Sequence, residues 1–232
     1  MSAATITLGD TALPIELRRH PRATRLTMRL APDGTAVRIT LPRWCPARDA
    51  MRFAEARAGW LAHQLTLVPE ASDPIEGGGV SYCGDRLPVV WRADAGRRVV
   101  RQAGDLVVGG PREGAKARLQ RWLEGEAATL FAADVAEYCA RAGLPVPGVC
   151  ITRARRRWGS CSDKGIIRLN WRLVQAPPPV RRSVAAHEVA HLVHFDHGPG
   201  FRALLRDLFE GDLAHADAWL RRHGRTLYAS FG

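Results

Sequence analysis

At 232 residues, with 46% hydrophobic and 25% charged side chains, the chain is long enough for one large domain or two small ones and has an ordinary globular composition. Nowhere do about 18 apolar residues run unbroken, and the start, MSAATITLGDTALPIELRRH, has no basic segment followed by an apolar one. Membrane spanning and export are therefore excluded as expectations, and a soluble cytoplasmic protein is expected.

The formal charge of +11 permits attraction to nucleic acid or acidic partners. Arginine supplies 32 of the 34 basic residues, a skew that coding bias in a GC-rich genome also produces, and the charges are mostly dispersed. RARRR, 153 to 157, is the exception. The five cysteines, Cys45, Cys83, Cys139, Cys150 and Cys161, are odd in number and form no CxxC pair, so reduced thiols are expected.

The first hundred residues alternate like strands. TITLGDTALPIELRRH is followed by RLTMRLAPDGTAVRITLP, where Pro32-Asp33-Gly34 predicts a hairpin turn. Met51, Ala54, Trp60, Leu61 and Leu65 recur near a 3.6 period, which predicts one helix from Ala47 to Leu65. Short strands resume in VSYCGDRLPVVWRADAGRRVVRQAGDLVVGG. The Gly and Pro cluster GGPREG, 109 to 114, marks the expected boundary between a β-rich N-terminal unit, 1–108, and a second domain, 109–232.

Beyond it, AKARLQRWLEGEAATLFAADVAEYCARAG reads as a long helix ending at Gly143, a residue suited to a left-handed cap. VCITRARRRWGSCSDKGIIRLNWRLV reads as strand, tight Ser-Asp-Lys-Gly turn, strand. PPPVRRSVAAHEVAHLVHF starts a helix behind prolines, which a first turn tolerates. Two further helices are expected in GPGFRALLRDLFEGD and AHADAWLRRHG. No internal repeat is evident. The fold class is α+β.

HEVAHLVHFDH, from His187 to His197, holds four of the chain's eight histidines. His187, Glu188 and His191 form H-E-x-x-H. Four residues make slightly more than one helical turn, so both imidazoles leave one face and can reach one cation, with Glu188 beside them and free of it. A cation on neutral imidazoles lowers the pKa of a bound water to roughly 7, and a carboxylate can take the proton as that water attacks a carbonyl. At this composition chance predicts roughly 0.01 such motifs. A solvated helix with idle histidines is disfavoured because Glu188 lies among Val184, Ala185, Ala186, Val189 and Ala190.

Hydrolytic zinc takes three protein ligands and leaves a fourth position open. His194, at i+3 on the same helix, would crowd a tetrahedral ion. His197 can return from the Asp196-His197-Gly198-Pro199-Gly200 turn and is the best placed, with Glu210 or Asp207 as the alternative.

RRRWGSCSDKGIIRLNWRLVQAPPPVRRSVAAHEVAHLVHFDHGPGF, 155 to 201, resembles the signature of the YgjP-like zincin metallopeptidases, relatives of the SprT-like group. RATRLTMRLAPDGTAVRITLP and VSYCGDRLPVVW resemble that family's N-terminal strands, so the resemblance covers most of the chain. It implies a zincin-like domain, a hairpin and sheet with an HExxH helix, in 109–232. It also implies one Zn2+ per chain on His187, His191 and His197, with Glu188 as catalytic base and peptides or proteins as substrates. The spacing to His197 equals that of metzincins, but those proteins have glycine where this chain has His194.

Trp158, Gly159, Ser160, Cys161 and Asn170 are placed to line the cleft, since an edge strand above the metal helix can hold substrate as an added strand. Core packing for Trp158 and capping for Ser160 and Asn170 are the plainer alternatives. Cys161 is a candidate zinc ligand or a small buried hydrophobe. Arg156, Arg172 and Tyr228 are candidate oxyanion donors. Two other functions fit the sequence: a DNA-associated, SprT-like protease using RARRR, and a non-catalytic module stapled by zinc.

Overall fold

The computed structural model describes residues 4–231 apart from 32 and 69, so the turn residue Pro32 lies outside the described residues. The chain divides into two compact units, the first ending at Ala71 and the second spanning Ser72–Phe231.

In the first unit, alternation makes strands and their pairing buries one face. The strands are β1 (Thr5–Leu8), β2 (Thr11–Arg19), β3 (Thr27–Leu30) and β4 (Val37–Leu41), in the order β1-β2-β4-β3. β1 and β2 are antiparallel, β2 and β4 parallel, and β3 and β4 antiparallel. Their inward residues, including Ile6, Leu8, Leu13, Ile15, Val37, Ile39 and Leu41, form one core with Ala50, Ala54 and Leu61. The single helix expected over 47–65 is two, α1 (Ala47–Glu55) and α2 (Ala58–Thr66). Arg57 leaves helical dihedrals at φ −120° and ψ 18°, although no proline or glycine occupies the break.

The second unit opens with β5 (Gly79–Tyr82), β6 (Asp85–Arg92), β7 (Val99–Gln102) and β8 (Asp105–Gly109), in the order β5-β6-β8-β7. This is the topology of the first sheet again, with the same antiparallel, parallel and antiparallel pairings. Pro14 faces Thr5 in one hairpin and Pro88 faces Gly79 in the other. The next residue opens the parallel pairing in both, Ile15 with Val37 and Val89 with Leu106. In this register LGDTALPI, 8–15, corresponds to YCGDRLPV, 82–89, and the two share only Leu-Pro and a following aliphatic residue, too little to read without the pairing. The sequence shows no internal repeat, and what recurs is strand order and pairing.

The compact units part at Ala71 and Ser72 rather than at the expected 108/109, because β5–β8 share a core with the long helix α3 (Ala115–Ala142). Val80, Leu87, Val89, Leu106 and Val108 pack in one cluster with Leu119, Leu123 and Phe131 of that helix. α3 ends at Gly143, left-handed at φ 65°, as its sequence predicts.

A third sheet contains β9 (Val149–Thr152), β10 (Gly159–Cys161) and β11 (Ile167–Asn170) in the order β10-β11-β9, which leaves β10 at an edge. The Ser-Asp-Lys-Gly turn closes with the Gly165 N–H donating to Ser162 O at 2.9 Å. A 3-10 turn, Trp171–Gln175, leads into α4 (Pro178–Ala190), then α5 (Pro199–Leu208), α6 (Leu213–His223) and a short 3-10 turn, Thr226–Tyr228.

Charge locks α4 to α3. Arg181 donates to Asp134 at 2.7 Å, both side chains being less than a tenth exposed, and Arg182 reaches Asp134, Glu137 and Glu210. Among the described residues no helix is long and apolar enough to cross a membrane. All five cysteines are free thiols.

Candidate metal centre

α4 begins on two prolines that pre-set its first turn and buries Val180, Ala185, Ala186, Val189 and Ala190. Its last turn presents His187, and the helix stops at Ala190, so His191 is its C-cap at φ −69° and ψ −16°. The motif therefore straddles the helix end instead of lying within the helix. The chain tightens beyond it, with Leu192 N–H donating to Val189 O and His194 N–H to Ala190 O. Asp196 Oδ1 then accepts from Gly198 N–H at 3.0 Å, turning His197 back before Pro199 starts α5.

His187 Nε2 lies 3.2 Å from His191 Nε2 and 3.2 Å from His197 Nε2. His191 Nδ1 is 2.9 Å from the His194 carbonyl oxygen, which can only accept. The proton is thus on Nδ1, and the Nε2 lone pair faces the other two rings. Phe201, buried on the first turn of α5, forms the floor, its ring centroid 4.9, 4.6 and 4.7 Å from those of His187, His191 and His197. Burial, then the neighbouring His191 and His197, lowers the His187 pKa to about 4, which leaves it neutral near pH 7.

The arrangement fits a tetrahedral cation. Nitrogens about 2.0–2.1 Å from a tetrahedral zinc lie about 3.3–3.4 Å apart, close to the 3.2 Å from His187 to each of the other two rings. His187, His191 and His197 bring one nitrogen each within 4.8 Å of one another. Glu210, the alternative third ligand, instead binds Arg182 at 2.7 Å, Arg141 at 2.8 Å and Tyr138 at 3.0 Å. His194 contributes its carbonyl, and its ring packs beside Gly200.

Glu188 is 5% exposed, and its Oε2 is buried without a hydrogen-bond partner. Burial raises its pKa to about 7, against the opposing pull of Arg157 and the Cys161 backbone N–H. β10 lies directly on this carboxylate: a Cβ at Gly159 would stand 2.3 Å from Glu188 Oε1. A cavity of about 550 Å3 opens here, walled by Trp158, Gly159, Val184, Leu205, Leu213 and Leu220, with His187 and Glu188 at its side.

The other sequence candidates divide. Trp158 and Gly159 line the cavity. Cys161 is half-buried, donates to Ser162 O and stands outside the histidine group. Ser160 faces Arg168 in the β10–β11 ladder. Asn170 is fully buried and works as a tie: its Oδ1 caps Arg172 N–H, and its Nδ2 donates to Ala154 O at 2.7 Å and Arg157 O at 3.5 Å. Arg172 lies between the rings of Trp171 and Tyr228, and neither it nor Tyr228 lines the cavity. Sequence reasoning missed Phe201 as the ring floor and α6 as a cavity wall. The GPGF following His197 was the available signal for the first.

The family described as YgjP-like, metallopeptidase domain, matches residues 24–223. No curated protein and no solved structure matches the chain.

Proposed function

The chain belongs to the YgjP-like metallopeptidase family, and from that premise we propose that it is a zinc-dependent peptidase of zincin type. His187, His191 and His197 hold the ion and Glu188 acts as general base. The observation that carries this reading is the convergence of three imidazole nitrogens beside a buried, unpartnered carboxylate oxygen. Zinc on these imidazoles supplies a Lewis acid and lowers the pKa of water. Glu188 accepts the proton of the attacking water and returns it to the leaving amine. The outer edge of β10 takes the peptide as an added strand, and the adjoining cavity receives a side chain.

Glu188→Gln is the test. The variant should keep one zinc per chain while peptide hydrolysis falls by about 10²–10⁴-fold, the usual contribution of a general base. Undiminished hydrolysis in the zinc-loaded variant would sink the assignment.

A further inference from the structure

A second cleft, about 520 Å3 in volume, shares no residue with the histidine cavity. It is lined by Arg97, Arg98, Val99, Arg118, Arg121 and Trp122. We propose that this cleft binds single-stranded nucleic acid, its guanidinium groups on successive phosphates and Trp122 against a base.

The placement is built by two elements. Arg97 and Arg98 stand on the loop joining β6 to β7, and Arg118, Arg121 and Trp122, at i, i+3 and i+4, share one face of α3. The loop is seated firmly on glycines. A Cβ at Gly109 would meet Gly96 O at 2.1 Å, and one at Gly110 would meet Arg97 Cγ at 2.8 Å. Arg118 is anchored by the carbonyls of Pro111 and Glu113, and its Nε is buried without a partner. Arg118 is therefore held in place, and the loop that carries Arg97 and Arg98 is fixed along its backbone.

Some arginines elsewhere in this unit are neutralised by carboxylates. Arg181 and Arg182 pair with Asp134, Glu137 and Glu210, Arg112 with Glu76, and Arg221 with Asp217. Even in RARRR, Arg153 is paired with Glu124. What sets the second cleft apart is convergence: no carboxylate lines it, and the side chains of Arg97, Arg98 and Arg121 make no hydrogen bond or ion pair among the described residues. Four like charges on one concave wall repel one another, and a polyanion relieves that repulsion. A dispersed, solvated arginine surface explains the net charge of the chain but not this convergence.

Trp122 narrows the class of anion. Its ring packs 5.4 Å from Tyr82, which has the Arg101 guanidinium at 5.9 Å and donates its hydroxyl to Glu126 at 2.7 Å, so the aromatic wall is supported from behind. A cationic groove interleaved with an aromatic platform matches single strands, whose bases are free to stack. An acidic peptide offers no such ring, and a duplex hides its bases.

Fluorescence anisotropy with a labelled oligothymidylate of about 12 nucleotides tests this. Log affinity should fall with log salt at a slope of about −2.8, the product of four phosphates and 0.7 each. Arg97→Glu with Arg121→Glu, both at exposed positions, should weaken binding at least about tenfold and bring the slope to about −1.4. Trp122→Leu should weaken it about fivefold or more, with thermal melting to confirm that the variant is folded. Zinc content should be unchanged in the arginine variants. Unaltered binding in the double arginine variant overturns the proposal even if the tryptophan variant fails to fold. So does a duplex or polyglutamate that competes as well as unlabelled oligothymidylate.

Discussion

Gly159 and Glu188 show how narrow the centre is at the scale of single residues. The glycine is required by space, since an added methyl would fall 2.3 Å from the carboxylate oxygen of Glu188. Gly159→Ala should therefore displace the base without touching a zinc ligand. We expect near-normal zinc binding with peptide hydrolysis reduced about 10²-fold, a loss typical of misplacement by about 1 Å. Comparable loss of zinc would show that β10 supports the ligands as well. The spacing of His187, Glu188 and His191 is legible in sequence because a helix converts spacing into direction. The need for glycine at 159 and for an aromatic ring at 201 is not, because both arise from elements that meet only in the folded chain.

Elements carry the centre by where they end. α4 stops at Ala190, and the turn beyond it delivers both the His194 carbonyl and the His197 ring. Prolines 178 and 199 announced where helices start, whereas the break between α1 and α2 has no proline or glycine to announce it. The clamp around Glu210 gives a pH dependence at this scale. Desolvation would raise its pKa, but hydrogen bonds from Arg182, its own backbone, Tyr138 and Arg141 outweigh that and bring it from 4.5 to about 2. A carboxylate depressed in the fold contributes stability that is complete above its unfolded value and is lost as pH falls through its folded value. Urea midpoints should accordingly drop between pH 4.5 and 2, and Glu210→Gln should flatten part of that drop. The side chain is 46% exposed, so solvent screening keeps its share small. An identical pH profile in the variant would remove Glu210 from the account.

For the whole molecule, the two cores separate at Ala71, and each contains its own four-stranded sheet of the same order. A fragment of residues 72–232 should therefore unfold cooperatively and bind one zinc per chain, measured by calorimetry and metal analysis. A fragment lacking cooperative unfolding would show that the second core depends on the first. The α+β class was legible from alternating runs followed by helical periods. The recurring strand order was not, because strand pairing tolerates nearly any apolar residue on the buried face and preserves little beyond a turn and a proline. Two like-patterned hairpins also set the growing chain a sorting problem, since β1 and β5 present similar partners to either second strand. Loop closure resolves it: a two-residue link such as Cys83-Gly84 costs about 3 kcal/mol less than closure over the roughly seventy residues between the copies. Local closure therefore outcompetes exchange by more than about a hundredfold, and the shortest turns, rather than any side chain, keep each strand with its own copy.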